Sequence, residues 1–201
     1  MLGFWTVETI KCKPSKIILD TLNETNFAEP EEKNYIQIAR GSARIVYLRT
    51  RDNKIFKVPR KGREIGLIQS QEEARLFALI PEEYHCFFPN PVFKKKGIIE
   101  MDYIDSLYEL YPFSDFEYNF MKWNTAEFAL EQGLINKDVY NKYINLEKIL
   151  SELGCYVMDI NESFDNVGVK DGQFYILDWG WTKKAESLYE NIYKESYLIP
   201  E

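Results

Sequence analysis

The fold is decided by two consecutive segments, Asp159-Ile-Asn-Glu-Ser-Phe-Asp-Asn166 and Val167-Gly-Val-Lys-Asp-Gly-Gln-Phe-Tyr-Ile-Leu-Asp-Trp-Gly180. In the second segment, apolar runs lie on either side of Lys170-Asp-Gly172, a pattern that predicts a β-hairpin with a tight turn. A polar loop that contains Asn166 precedes the hairpin, and Asp178 follows it. The pattern therefore predicts that a loop amide and a strand-end carboxylate flank one hairpin.

Helices are expected around this hairpin. Apolar residues recur at helical spacing from Lys137 to Leu153, with Asn136 as a plausible N-cap and Gly154 at the position where helices commonly end. A second helical pattern includes Ile65, Ile68, Ala74, Leu76 and Phe77, and ends by Pro81.

The front half of the chain alternates apolar and polar residues in short runs, which indicates an antiparallel sheet. The predicted strands are Tyr35–Ala39, Arg44–Arg49, Ile55–Val58, Pro91–Phe93 and Gly97–Met101. Residues 1–34 predict a short strand, a polar stretch and a weak helix. The fold class expected is α+β.

Composition excludes several classes of protein. The 201 residues include 25 Lys and Arg against 32 Asp and Glu, a net charge of −7 that argues against a general nucleic-acid binder. No apolar run is long enough to span a membrane, and no secretory signal is evident, so a cytoplasmic protein without a membrane partner is expected. One His and three separated Cys make a structural zinc site improbable.

Two candidate phosphate-binding features lie in the front half. Gly41-Ser-Ala-Arg-Ile-Val-Tyr47 places a Gly between two strands, where backbone N–H groups can approach phosphate oxygens. Lys57 lies in the apolar strand Ile55-Phe-Lys-Val58, where its ammonium either lines a cleft and holds an anion or faces outwards into solvent.

Candidate carboxylates follow along the chain. Glu73 is placed to orient Lys57 from the helix, and Glu72 is the competing candidate, although both could be solvated. Asn166 and Asp178 supply the oxygen ligands that Mg²⁺ prefers, with positions left open for phosphates.

Together these motifs resemble the protein-kinase-like superfamily. The resemblance covers about residues 36–181. It implies that Gly41 and Ser42 belong to the phosphate loop, that Lys57 contacts ATP phosphates and that Glu73 pairs with Lys57. It also implies that Asn166 and Asp178, in Asp178-Trp-Gly180, bind Mg²⁺. The stretch Glu100-Met-Asp-Tyr103 takes the hinge position, where its backbone, at Glu100 and Asp102 in particular, faces adenine.

The resemblance implies a two-lobed fold. Residues 1–101 form a small antiparallel-sheet N-lobe with one helix and an N-terminal extension over 1–34. Residues 102–201 form a reduced, mainly helical C-lobe with the catalytic-loop hairpin. The chain ends shortly after Gly180 and no Ala-Pro-Glu follows, so a minimal prokaryotic or phage type is expected.

The catalytic loop departs from the family pattern. The usual catalytic Asp stands five residues before the loop Asn, and Asn161 occupies that position here. Because an amide cannot act as the base, either Asp159, displaced by two residues, takes the role through an altered loop, with Asp165 less favoured, or transfer is impaired. The phosphate loop also keeps one Gly of the usual three.

Two functions follow from this pattern. The first is ATP- and Mg²⁺-dependent phosphotransfer to a protein or small hydroxyl acceptor, with Asp159, Lys57 and Glu73 as the catalytic set. The alternative is a pseudokinase that binds a protein partner, for example as a bacterial or phage regulatory or counter-defence protein. Its interface would use aromatic residues in Tyr108–Phe113 and Trp179–Trp181, although each of these aromatics, taken singly, is better explained as a core residue.

Overall fold

The computed structural model describes residues 34–61, 63–111 and 124–196. The chain divides into two compact units, the first formed by the residues up to Gln71 with Asn90–Tyr103, and the second by Glu72–Pro89 with the residues from Ile104 onwards. The two units are described separately below. The strand and helix predicted within residues 1–33 lie outside the described residues.

The first unit is built on an antiparallel sheet whose strands follow the alternating runs of the sequence. In the order β1-β2-β3-β5-β4, every neighbouring pair is antiparallel. The strands are β1 (Tyr35–Arg40), β2 (Arg44–Arg49), β3 (Lys54–Pro59), β4 (Val92–Phe93) and β5 (Ile99–Asp102). The core of the unit contains Tyr35, Tyr47, Phe56, Val58 and Ile98. The five predicted strands are confirmed.

Helix α1 (Glu64–Leu79) begins in the first unit and ends in the second. Its first turns pack tightly on the β1–β2 turn, because a Cβ built on Gly66 would lie 2.3 Å from the Ala43 carbonyl oxygen. Only glycine allows so close an approach of helix and backbone.

The second unit is mainly helical. It contains a 3₁₀ segment (Glu82–Phe87) and the helices α2 (Leu107–Leu110), α3 (Thr125–Glu131), α4 (Lys137–Glu152), α5 (Val157–Asn161) and α6 (Lys183–Ser196). Helix α4 forms where the apolar stripe predicts it. The Asn136 Oδ1 accepts a hydrogen bond from the Val139 N–H at 2.9 Å, and Gly154 has a φ of +89°, so both predicted helix ends are confirmed.

The hairpin of the second unit consists of β6 (Val167–Lys170) and β7 (Gln173–Ile176), as predicted. Gly168 forms a bridge with Ser106, and a Cβ at Gly168 would lie 2.5 Å from the Asp105 carbonyl oxygen. The hairpin is therefore held against the segment that leads into α2. Helix α5, just before the polar loop, was not predicted.

The observed class is α+β, with a small antiparallel sheet and several helices, as expected. None of the described helices has the length and apolar character that crossing a membrane requires.

We predict that Gly66→Ala lowers the free energy of unfolding. Overpacking against backbone costs about 1–3 kcal/mol, which outweighs the gain of about 1 kcal/mol in helix propensity. Urea denaturation measures the difference. Gly154→Asn is the control: a Cβ there meets nothing within 4 Å and Asn tolerates positive φ, so its loss is smaller. An unchanged or more stable Gly66→Ala variant would refute the tight packing of α1 on the turn.

Candidate functional site

The β1–β2 turn of the first unit is tied to its surroundings by hydrogen bonds. The Gly41 N–H donates to the Arg44 carbonyl at 2.9 Å, and the Arg60 Nη1 donates to the carbonyls of Gly41 and Ser42 at 3.2 Å each. The Gly41 N–H is thus already used inside the turn. The role implied for Gly41 as a phosphate donor through its N–H does not fit this geometry, whereas Ser42 is exposed.

Lys57 lies on an inner strand of the sheet. Its register partners are Val46 on β2 and Ile99 on β5, and only 4% of the residue is exposed. Of the two interpretations of this lysine, the one with a solvated, outward-facing side chain is wrong. A buried ammonium requires nearby compensation, which is typical of a group that holds an anion.

The predicted hinge residues Glu100 and Asp102 use their carboxylates within the sheet. Glu100 forms ion pairs with Lys94 at 3.1 Å and Arg49 at 3.5 Å. Asp102 pairs with Lys54 and accepts a hydrogen bond from the Asn90 Nδ2 at 2.6 Å. These side chains stabilise β5, so a nucleotide contact here is left to the backbone.

In the second unit, the two adjacent glutamates of α1 differ in their surroundings. Glu72 accepts hydrogen bonds from Arg75 at 2.9 Å, Lys184 at 3.0 Å and the Thr182 hydroxyl at 3.1 Å. Burial alone would raise the pKa of Glu72, but the bonds from Arg75 and Lys184 outweigh it and lower the pKa. Glu72 is therefore committed to a structural network.

Glu73 is fully buried and lies beside the Asp178-Trp-Gly180 triplet. Its carbonyl accepts a hydrogen bond from the Trp179 Nε1 at 3.0 Å, and Trp179 packs edge-on against Phe88 with ring centroids 4.8 Å apart. Neither Glu72 nor Glu73 is solvated. Trp179 is 1% exposed, so of its two interpretations, interface aromatic or core residue, the core residue is confirmed.

Asn166 brings the candidate base and the candidate metal ligand together. Its Nδ2 donates to the Asp159 carbonyl at 2.8 Å and approaches the Asp159 Oδ2 at 3.5 Å. Its own carbonyl accepts the N–H groups of Leu177 at 2.7 Å and Asp178 at 3.4 Å. The short helix α5 carries Asp159, which is exposed, and places it against Asn166.

Asn161 faces a different part of the unit. Its Nδ2 donates to the Glu147 Oε1 at 2.5 Å, and its Oδ1 accepts a hydrogen bond from the Tyr143 hydroxyl at 2.7 Å. Burial raises the pKa of Glu147, and the hydrogen bond from Asn161 opposes that change. The amide at the usual base position therefore anchors α5 to α4.

Several carboxylates of this unit affect the pKa of the buried Cys155 thiol. Burial, together with the charges of Asp159, Asp178 and Glu73, raises the pKa of Cys155 to about 12, while the charge of Arg75 opposes the change. Three of the carboxylates singled out in the sequence therefore act on the same thiol.

The candidate metal ligands of this unit are compatible with a partly open Mg²⁺ site and not with a site in which protein side chains fill every ligand position. Over the described ranges, no three His, Cys, Asp or Glu side chains are arranged to hold a metal ion. The Nδ2 of Asn166 faces Asp159, so its Oδ1 points away from that residue. Asn166 and the half-buried Asp178 are the two side chains that would offer oxygen ligands, and Mg²⁺ typically completes such a set with phosphate oxygens and water.

Arg60, which donates to the turn carbonyls, is a contact that the motifs of the sequence do not indicate. The register pairs Arg44 with Pro59, which places the residue after β3 beside the turn that precedes β2. Extending the β2–β3 pairing by one residue beyond Arg44 and Pro59 brings Arg60 next to Ala43 and the turn.

Comparison with known proteins adds nothing to this geometry: no family profile, curated protein or solved structure matches the chain. The function of the site is argued from its own contacts and charges.

We predict that Asn161→Asp makes stability strongly pH-dependent, because a second carboxylate would face Glu147. The pair would keep a proton in the folded state, so its pKa would lie above the unfolded value. Stability would then be fully present below about pH 4.5 and lost as pH rises, by about 1–2 kcal/mol up to pH 8 after allowance for partial exposure.

Urea denaturation between pH 4 and 8 measures this slope. Asn161→Ala removes the same hydrogen bonds without adding charge and serves as the control, with a flatter profile. Equal slopes for the two variants would show that Asn161 does not face Glu147.

Proposed function

We propose that the chain is an ATP- and Mg²⁺-dependent phosphotransferase of the protein-kinase-like type, acting on a protein or small hydroxyl acceptor. The observation that supports this most directly is the arrangement around Asn166, whose side chain contacts Asp159 and whose carbonyl accepts the Asp178 N–H. A base, an amide ligand and a carboxylate ligand in one loop and hairpin are what phosphoryl transfer requires.

In this proposal, each unit has its own task. Lys57 of the first unit binds the α- and β-phosphates, and the backbone at Glu100 and Asp102 borders the adenine. In the second unit, Asn166 and Asp178 hold Mg²⁺, which when bound neutralises phosphate charge. Of the two adjacent glutamates, Glu73 is the one that the proposal assigns to the catalytic set, since Glu72 is already bound by Arg75, Lys184 and Thr182.

Asp159 orients the acceptor hydroxyl and accepts its proton. It is exposed, so an acceptor can reach it, and its link to Asn166 keeps it beside the proposed metal ligand. The presence of Asn at position 161 is therefore no evidence of lost catalysis, because its side chain is hydrogen-bonded to Glu147.

Asp165 is the rival base. Burial, together with the Glu109 carboxylate, raises the pKa of Asp165 to about 6, a suitable range for a general base near neutral pH. The hydrogen bond that links a candidate base to Asn166 is made by Asp159, and this contact favours Asp159.

The test is release of ADP from ATP and transfer of labelled γ-phosphate to the chain itself in the presence of Mg²⁺. We expect Asp178→Asn and Asp159→Asn each to lower the rate by about 10²–10⁴-fold, the usual contribution of a catalytic acid or base. The matched control is Asp171→Asn, which makes the same change on the exposed β6–β7 turn and leaves the rate unaltered.

Thermal unfolding with ATP and Mg²⁺ separates binding from transfer. Asp159→Asn keeps the stabilisation by Mg²⁺ and ATP, whereas Asp178→Asn loses its Mg²⁺-dependent part. A wild-type chain that is stabilised but shows no transfer would favour the pseudokinase alternative. A chain that ATP does not stabilise would contradict both.

Asp165→Asn is predicted to stabilise the protein as pH rises from 4 to 7. A carboxyl whose folded pKa is raised costs stability once it must ionise, by about 1–2 kcal/mol at neutral pH after allowance for partial exposure. Urea denaturation measures this gain. If Asp165→Asn abolishes transfer while Asp159→Asn retains it, Asp165 is the base instead.

A further inference from the structure

Tyr156 and Trp181 lie opposite each other in the second unit. An antiparallel bridge joins Cys155 to Thr182, and the Tyr156 N–H donates to the Trp181 carbonyl at 3.0 Å. In such a pairing, opposite residues place their side chains on one face, and successive residues alternate between faces. Cys155 and Thr182 are both buried. Tyr156 and Trp181 therefore share the outer face, and both are half-buried.

The first turns of helix α6 add further groups to this face. The Glu186 carboxylate accepts a hydrogen bond from the Tyr156 hydroxyl. The half-buried Tyr189 packs edge-on against Trp181, with ring centroids 6.0 Å apart and an angle of 75° between the ring planes. An edge-on contact covers at most one face of each ring, so Tyr189 leaves at least one face of the Trp181 indole uncovered. We call Tyr156, Trp181, Glu186 and Tyr189 the aromatic–acidic face.

The aromatic–acidic face lies in a negative electrostatic environment. The hydrogen bond to Glu186, followed by burial and the charges of Glu186 and Glu190, raises the pKa of Tyr156. Among the described residues, no lysine or arginine forms an ion pair with Glu186. Lys183 is exposed one helical turn before Glu186, and the neighbouring Lys184 pairs with a different carboxylate. Two carboxylates thus act on one tyrosine of this face.

We propose that the aromatic–acidic face is a docking surface for an arginine side chain of a protein partner. A guanidinium is planar, so it stacks on the Trp181 indole while its N–H groups donate to the Glu186 carboxylate. The Tyr156 hydroxyl occupies one of the roughly four acceptor positions of that carboxylate, which leaves others for the guanidinium.

The chemistry of the surface favours this occupant. Tryptophan, tyrosine and arginine are the residues that most often dominate the binding energy of protein interfaces. A positively charged partner also complements a chain with a net charge of −7. The docking surface does not rest on the proposed phosphotransfer, because none of its side chains belongs to the proposed catalytic or metal-binding set.

The probes for this surface are peptides in which glycine alternates with arginine, lysine or citrulline. Nuclear magnetic resonance titration into the millimolar range follows the Tyr156 backbone N–H and the Trp181 indole N–H, which is identified by its absence from Trp181→Leu. We expect the arginine peptide to shift both signals and the lysine peptide to bind more weakly. The citrulline peptide is neutral and has nearly the same shape, so it shifts them little. Binding weakens as salt is added.

The variants separate recognition of charge from packing of the helix. Glu186→Gln and Trp181→Leu each weaken binding of the arginine peptide about two- to fivefold, the usual contribution of one exposed ion pair or cation–π contact. Glutamine can still accept the Tyr156 hydrogen bond, so Glu186→Gln removes the charge and keeps α6 in place. The matched control is Glu131→Gln, which makes the same change at the exposed end of α3 and leaves binding unaltered.

Three results would overturn the docking surface. The first is an arginine peptide that leaves the Tyr156 and Trp181 signals unmoved. The second is a citrulline peptide that binds as tightly as the arginine peptide, because recognition would then not depend on charge. The third is a Glu186→Gln variant with the affinity of the wild type and of Glu131→Gln.

Discussion

The amide side chain of Asn166 is the interaction on which the second unit's chemistry depends. It donates to Asp159, seven residues earlier in the chain, while its backbone carbonyl accepts the N–H groups of Leu177 and Asp178 beyond the hairpin. One buried residue thus connects the loop before β6 to the segment after β7. These contacts fix the backbone at Asp159 relative to the backbone at Asp178.

The charges of nearby carboxylates determine which kind of ligand this arrangement favours. Glu73, Asp159 and Asp178 each raise the pKa of the buried Cys155 thiol, and Arg75 lowers it. Glu72, one residue from Glu73, is bound by Arg75 and Lys184. A cation bound near carboxylates favours their ionised forms, which is the role that the proposal gives to Mg²⁺ beside Asp178.

Much of the fold could be predicted because it follows from local patterns. Alternation and turn residues predict the strands, and Asn136 and Gly154 predict the ends of α4. Helix α5 could not be predicted, since its five residues are too few to show a helical period. It is nevertheless the element that brings Asp159 to Asn166.

The candidate site was only partly predictable for the same reason. Glu72 and Glu73 are adjacent and both buried, and their roles differ because Lys184, far along the chain, binds one of them. In the sequence, Asn161 stands where the resemblance expects the catalytic Asp. In the structure, its side chain donates a hydrogen bond to Glu147 of α4 and so has a structural role. Trp179 is a candidate for either an interface or the core in the sequence, and its indole is buried against Phe88. These assignments depend on long-range contacts that no local pattern contains.

The most direct test of the central claim is binding of Mn²⁺, as a substitute for Mg²⁺, measured by electron paramagnetic resonance in the presence of a non-hydrolysable ATP analogue. The account predicts nucleotide-dependent binding of Mn²⁺ to the wild type, and its loss in Asn166→Ala and in Asp178→Asn. Equal binding of Mn²⁺ by the wild type and both variants would contradict the account, because the cation would then be held by other residues.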